Sequence, residues 1–79
     1  MPQGSEDVKK TAELKKLGAI VADMEIAPKL RAQAIDLLGE MGSHESLLVL
    51  LSIAGNDKLG VDDRDLALKR AREIIKKGR

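Results

Sequence analysis

Residues 43–54 read SHESLLVLLSIA, and the fold turns on them. Leu47, Leu48, Val49, Leu50 and Leu51 follow one another without a break, and Ile53 and Ala54 close the run. A helix advances about 100° per residue, so five consecutive apolar positions leave it no polar side. The stretch therefore reads as a helix enclosed on nearly all sides, by the rest of the chain or by a second copy. Ser43 stands where an N-cap belongs, and Gly55 and Asn56 stop the helix near Ala54.

Three further helices surround this one. Upstream, Leu30, Ala34, Ile35, Leu37, Leu38 and Met41 form a stripe that starts behind Pro28, a residue suited to a first helical position. Gly42 reads as the left-handed residue just past its end, so this helix and the leucine-rich one make a tight antiparallel hairpin. Earlier still, Val8, Leu14, Leu17, Ile20, Val21 and Met24 recur at three- and four-residue steps, giving a helix from a Ser5 cap to about Met24. Residues 1–4 have no periodicity and read as a disordered start. Gly18 is its weak point, costing about 1 kcal/mol against alanine. Downstream, a loop over 55–61 leads to a fourth helix capped by Asp62, with Asp63 and Asp65 in its first turn. Its buried side is Leu66, Ala67, Ala71, Ile74 and Ile75, and Lys76, Lys77 and Arg79 match the negative end of its dipole. The expected fold is all-α, four helices as two antiparallel pairs in one domain over residues 5–79.

Composition narrows the functions. Aromatic residues are 0% and cysteines 0, so no side chain stacks on a base, builds an aromatic cage or offers a thiolate. Charged residues are 34% with a net of +1, which is not the field of a nucleic-acid binder. No apolar run approaches the roughly 20 residues of a membrane span, and no signal-like segment opens the chain; the expectation is a cytoplasmic protein without a membrane role. Acidic residues gather in the middle and basic ones from Lys69 to Arg79.

No catalytic constellation is visible. His44, the single histidine, sits beside a cap with no second ligand at metal spacing, so a surface or capping place suits it. Asp57, Asp62, Asp63 and Asp65 do not fit a calcium loop: with glycine at its sixth position as Gly60, the first would be Gly55. Residues 34–54 have the outline of a helix-turn-helix, but the candidate recognition helix carries no basic residue and no amide.

An offset of 33 relates the two halves. It sets Leu14 on Leu47, Leu17 on Leu50, Ile20 on Ile53, Arg31 on Arg64, Ala34 on Ala67 and Met41 on Ile74. An offset of 37 also pairs Ala34, Leu37 and Leu38 with Ala71, Ile74 and Ile75, but 33 serves both helices of each half unadjusted. Arg31, Ala34, Leu38, Gly39 and Gly42, ahead of a capped leucine-rich helix, resemble the HEAT-type repeats of the short lyase-like variety. The fourth helix keeps Arg64 and Ala67 but has Ala71-Arg72 in place of Leu-Gly. The resemblance implies an α-solenoid fragment of two repeats, 8–42 and 43–77, that binds proteins and has neither catalytic residues nor cofactor. On this reading the chain is a non-enzymatic interaction module that joins another protein or itself. Its partner-binding residues are Arg31, Arg64, Lys69, Arg70, Arg72 and Lys76, with pairing to nearby carboxylates inside the fold as the alternative for Arg31 and Arg64. The alternatives are a nucleic-acid-associated protein using Lys69, Arg70, Lys76 and Lys77, and an accessory subunit of an enzyme.

Overall fold

The computed structural model describes residues 2–78, with side chains from residue 12 onward. The described residues form four helices and no strand: α1 (Pro2–Ala22), α2 (Pro28–Met41), α3 (His44–Ala54) and α4 (Val61–Lys77). Helix α2 packs against each of the other three, α1 also against α3, and α3 against α4. The core between them is aliphatic: Leu14, Val21, Ala34, Ile35, Leu38, Leu50, Ile53, Leu59, Ala67, Ala71 and Ile74.

Local chemistry sets most of the helix ends. Pro28 opens α2 without losing a hydrogen bond, and Gly42 closes it at φ 61°, a conformation that side-chain-bearing residues resist. Ser43 Oγ then accepts from the Ser46 N–H at 3.0 Å, while Ser46 Oγ accepts from the Ser43 N–H at 3.0 Å. This reciprocal capping box starts α3, and Ser46, wholly buried, uses its remaining proton on the Ser43 carbonyl at 2.9 Å. The start of α4 differs from expectation. Gly60 occupies the cap position, extended and without a side-chain cap, so Asp62 lies inside the first turn and Asp65 beyond it. Asp62 acts there through the dipole alone, with Lys76 and Lys77 at the other end. Helix α1 takes in residues 2–4 and places Ser5 inside, since a proline in the first turn costs no hydrogen bond. The helix also runs unbroken through Gly18 and ends at Ala22, two residues short of Met24.

The loops after α1 and α3 are built alike. Asp23 Oδ1 accepts from the Glu25 N–H at 2.9 Å, and Asn56 Oδ1 from the Lys58 N–H at 3.0 Å. The Ile26 N–H donates to the Asp23 carbonyl at 3.1 Å, and the Leu59 N–H to the Asn56 carbonyl at 3.1 Å. Each side chain mimics a backbone turn, then the chain drops an aliphatic residue inward and starts a helix. All these pairs are 33 residues apart, as are the starts of α2 and α4 at Pro28 and Val61. An offset of 37 would carry Pro28 to Asp65, four residues inside α4. The two loops and the helix starts that follow them therefore recur at an offset of 33.

The leucine-rich helix is not enclosed as expected. Leu50 and Ile53 are buried, but Leu48 is 53% and Leu51 42% exposed. The molecule measures 41 × 31 × 18 Å, so along its short axis it is two helices thick. In so thin a slab every helix keeps one side toward water, whatever its composition.

Two glycines separate cleanly by their surroundings. A Cβ on Gly18 would stand 3.6 Å from Val49, an ordinary contact. One on Gly39 would stand 3.0 Å from Arg70 Cδ and 3.1 Å from Arg70 Cβ. The first site offers only the helix propensity of alanine, about 1 kcal/mol. The second adds overpacking of about 1–3 kcal/mol, because a Cβ cannot swing aside. Urea denaturation of Gly18→Ala is expected to yield a protein about 1 kcal/mol more stable, and of Gly39→Ala one about 1 kcal/mol less stable. Equal shifts in both would refute the close α2–α4 approach at Gly39.

Candidate functional site

Arg31 and Asp63 meet at one end of the α2–α4 contact. Arg31 Nε donates to Asp63 Oδ2 at 2.9 Å, with the two side chains 8% and 9% exposed. Its Nη1 donates to the Ile26 carbonyl at 2.6 Å. The guanidinium thus ties the loop before α2 to the first turn of α4. Arg31, the first of the six basic residues singled out from the sequence, is buried, and these two donors are directed within the fold. Periodicity marks Arg31 and Asp63 only as two charges 32 residues apart, so their pairing was not legible.

At the other end Arg70 lies along Gly39 and reaches two carboxylates, Asp36 Oδ1 and Glu73 Oε1, each at 2.9 Å. The hydrogen bonds it donates, to Glu73 first and then Asp36, hold the Arg70 guanidinium above its ordinary pKa. Its charge is balanced within the fold by these two carboxylates. Arg64, half-buried, donates from Nε to the Ala54 carbonyl at 3.1 Å and ties α4 to the end of α3. Lys69, Arg72 and Lys76 are exposed along α4 and make no ion pair among the described residues. Of the six basic residues singled out from the sequence, these three stand open to a partner.

The outward apolar surface lies elsewhere. Between α1 and α2 runs a groove of about 490 Å³ lined by Leu17, Ile20, Leu37 and Met41, with Glu13, Lys16 and Glu40 at its rim. It continues into a second hollow of about 280 Å³ that adds Ile26, Leu30, Gln33 and Ala34. Leu30 is 53%, Leu37 49% and Met41 36% exposed. Their counterparts 33 residues on are Asp63, Arg70 and Ile74; Asp63 and Ile74 are buried, and Arg70 is half-buried at the α2–α4 contact. The half-buried Leu17, Ile20 and Ile26 likewise correspond to the buried Leu50, Ile53 and Leu59. The positions of α3, α4 and the loop before α4 that are covered therefore correspond, 33 residues earlier, to positions of α1, α2 and the loop before α2 that are left open. The signal was in the sequence: leucines at 30 and 37 stand where the other half has Asp63 and Arg70.

A third hollow, of about 590 Å³, opens where α2 ends and α3 begins, between Glu40, His44, Leu47, Glu73 and Lys77. His44 occupies the first turn of α3 and is exposed, in keeping with a surface place. Among the described residues no group of three or more His, Asp or Glu side chains is arranged to hold a metal ion, and no helix is long and apolar enough to cross a membrane. No family model, curated protein or solved structure matches the chain.

The Arg31–Asp63 pair makes a sharp energetic prediction. Removing one member of a buried ion pair strands the other charge and costs about 3–5 kcal/mol, whereas replacing both by apolar groups is near neutral. Arg31→Met and Asp63→Leu are each expected to lose about that much in urea denaturation. The double variant is expected to return within about 1 kcal/mol of the original protein. Additive losses would show that the two side chains do not meet.

Proposed function

We propose that the chain is a non-enzymatic protein-interaction module, built as two HEAT-type repeats, whose docking face is the groove between α1 and α2. The period of 33 in the loops and helix starts supports the repeat reading. So does the burial pattern: each repeat cannot cover its own apolar face and leans on a neighbour. The second pair leans on the first through α2–α4 and α1–α3. The first pair has no such neighbour among the described residues, and six aliphatic side chains there are exposed or half-buried. That open face is the observation that carries the function. Aliphatic side chains in a groove with a charged rim suit a helix laid lengthwise, its own apolar stripe filling the floor.

The basic outer side of α4 supports a nucleic-acid role less well. Arg70 is neutralised by Asp36 and Glu73, leaving Lys69, Arg72, Lys76 and Lys77 as a short row on a helix without aromatic residues.

Protein binding is expected to fail on Leu37→Glu, which puts a carboxylate into the groove floor at a half-exposed position, and to persist on Arg72→Glu. Isothermal titration or surface plasmon resonance with any bound protein checks both, with a loss of about tenfold or more for the first. Binding indifferent to Leu37→Glu but abolished by Arg72→Glu would move the docking face to α4 and end this reading.

A further inference from the structure

Resting on the reading of the α1–α2 groove as a docking face, we infer that Arg31 is its positioning residue. Clamped by Asp63 of the other helix pair, Arg31 holds Ile26 in place as the wall of the groove at its loop end.

The groove is built almost wholly from helix. Of the described side chains that line its two hollows, Ile26 alone belongs to no helix and stands in the loop between α1 and α2. The others are carried by the helical hydrogen-bond ladder, whereas the place of Ile26 depends on what its own backbone binds. Its N–H donates to the Asp23 carbonyl at 3.1 Å, a bond internal to the loop that would travel with it. Its carbonyl accepts from Arg31 Nη1 at 2.6 Å, and Arg31 Nε is anchored in turn on Asp63 Oδ2 at 2.9 Å. A planar guanidinium bound at two of its nitrogens has a fixed orientation, so the Ile26 carbonyl is fixed relative to the first turn of α4. The wall of the groove is therefore set from the second helix pair, although no residue of α3 or α4 lines either hollow.

The loop before α4 supplies the contrast. At the offset of 33, Leu59 corresponds to Ile26 and Arg64 to Arg31. Arg64 Nε donates to the Ala54 carbonyl at 3.1 Å, at the end of α3 and away from the residue that corresponds to Ile26. Leu59 is only 5% exposed and is held by the core around it. Ile26 is half-buried on the open face, where packing holds it less. The arginine latch stands at the loop that packing secures less well.

The test uses the double variant Arg31→Met with Asp63→Leu, which removes the latch without stranding a buried charge, so that stability is regained. Amide hydrogen exchange by NMR compares Ile26 with Leu59 in the original protein and in this variant. The Ile26 N–H is expected to exchange about five- to tenfold faster, and the Leu59 N–H to change less than about twofold. Cross-peaks from the Ile26 methyls to those of Leu30 and Leu37 are expected to weaken. Should the double variant not fold, the original protein decides. Its Arg31 guanidinium is expected to give separate Nη signals, as a group fixed at two atoms does, and exposed Arg72 one averaged signal. Ile26 and Leu59 amides that respond alike, unchanged Ile26 cross-peaks, or averaged Arg31 Nη signals would overturn the proposal and leave the docking reading standing. If Ile26 loosens as expected while Leu37→Glu leaves protein binding intact, the docking reading falls and the hold of Arg31 on Ile26 stands.

Discussion

The close approach of α2 to α4 is the constraint on which everything else rests. It has a charged end, where Arg31 bridges Asp63 and the Ile26 carbonyl. It has a small-residue end, where Gly39 admits the Arg70 stem. Between them Ala34, Ile35 and Leu38 on α2 and Ala67 and Ala71 on α4 are buried, small or compact enough for two helices to lie close. With no aromatic side chain to fill space, such a core depends on short interhelical distances, because dispersion fades within an ångström of separation. The ion pair fixes the register of that approach, since a shift of either helix by one residue would leave two charges buried apart.

A consequence for the surface follows from the size of the chain. Seventy-nine residues in four helices make a slab two helices thick, and a slab cannot hide an excess of leucine. Apolar side chains therefore emerge on both the α4 side and the α1–α2 side. On the α4 side they are interleaved with Lys69, Arg72 and Lys76, which keep that face wet. On the α1–α2 side they line a continuous groove with charges only at its rim. The continuous groove, more than the number of exposed leucines, distinguishes the α1–α2 side from the α4 side.

Much of the fold was legible from the residues. Helical spacing placed α2 and α4, an unbroken apolar run placed α3, and Pro28, Gly42 and Ser43 marked the ends of α2 and the start of α3 because each has a backbone preference that needs no tertiary context. What escaped was decided by tertiary geometry. Leu47–Leu51 announced how apolar α3 is, but not how many neighbours a short chain can place around it. Gly60 took the cap of α4 from Asp62, which let Asp63 turn inward to Arg31. Ser46, an unremarked polar residue within an apolar run, became fully buried because the capping box satisfies it locally. Of the basic residues, Arg31, Arg64 and Arg70 were the ones the fold used itself. The twin turns at Asp23 and Asn56 lay in view at the right offset, hidden by the difference between Asp and Asn.

The central claim is that the two helix pairs meet along α2 and α4, glycine against arginine. Nuclear Overhauser contacts in the dilute protein measure this directly. The account predicts strong cross-peaks from the Gly39 α protons to the Arg70 β and γ protons, and from a Gly18 α proton to a Val49 methyl. Intact helices without the Gly39–Arg70 cross-peaks would contradict it.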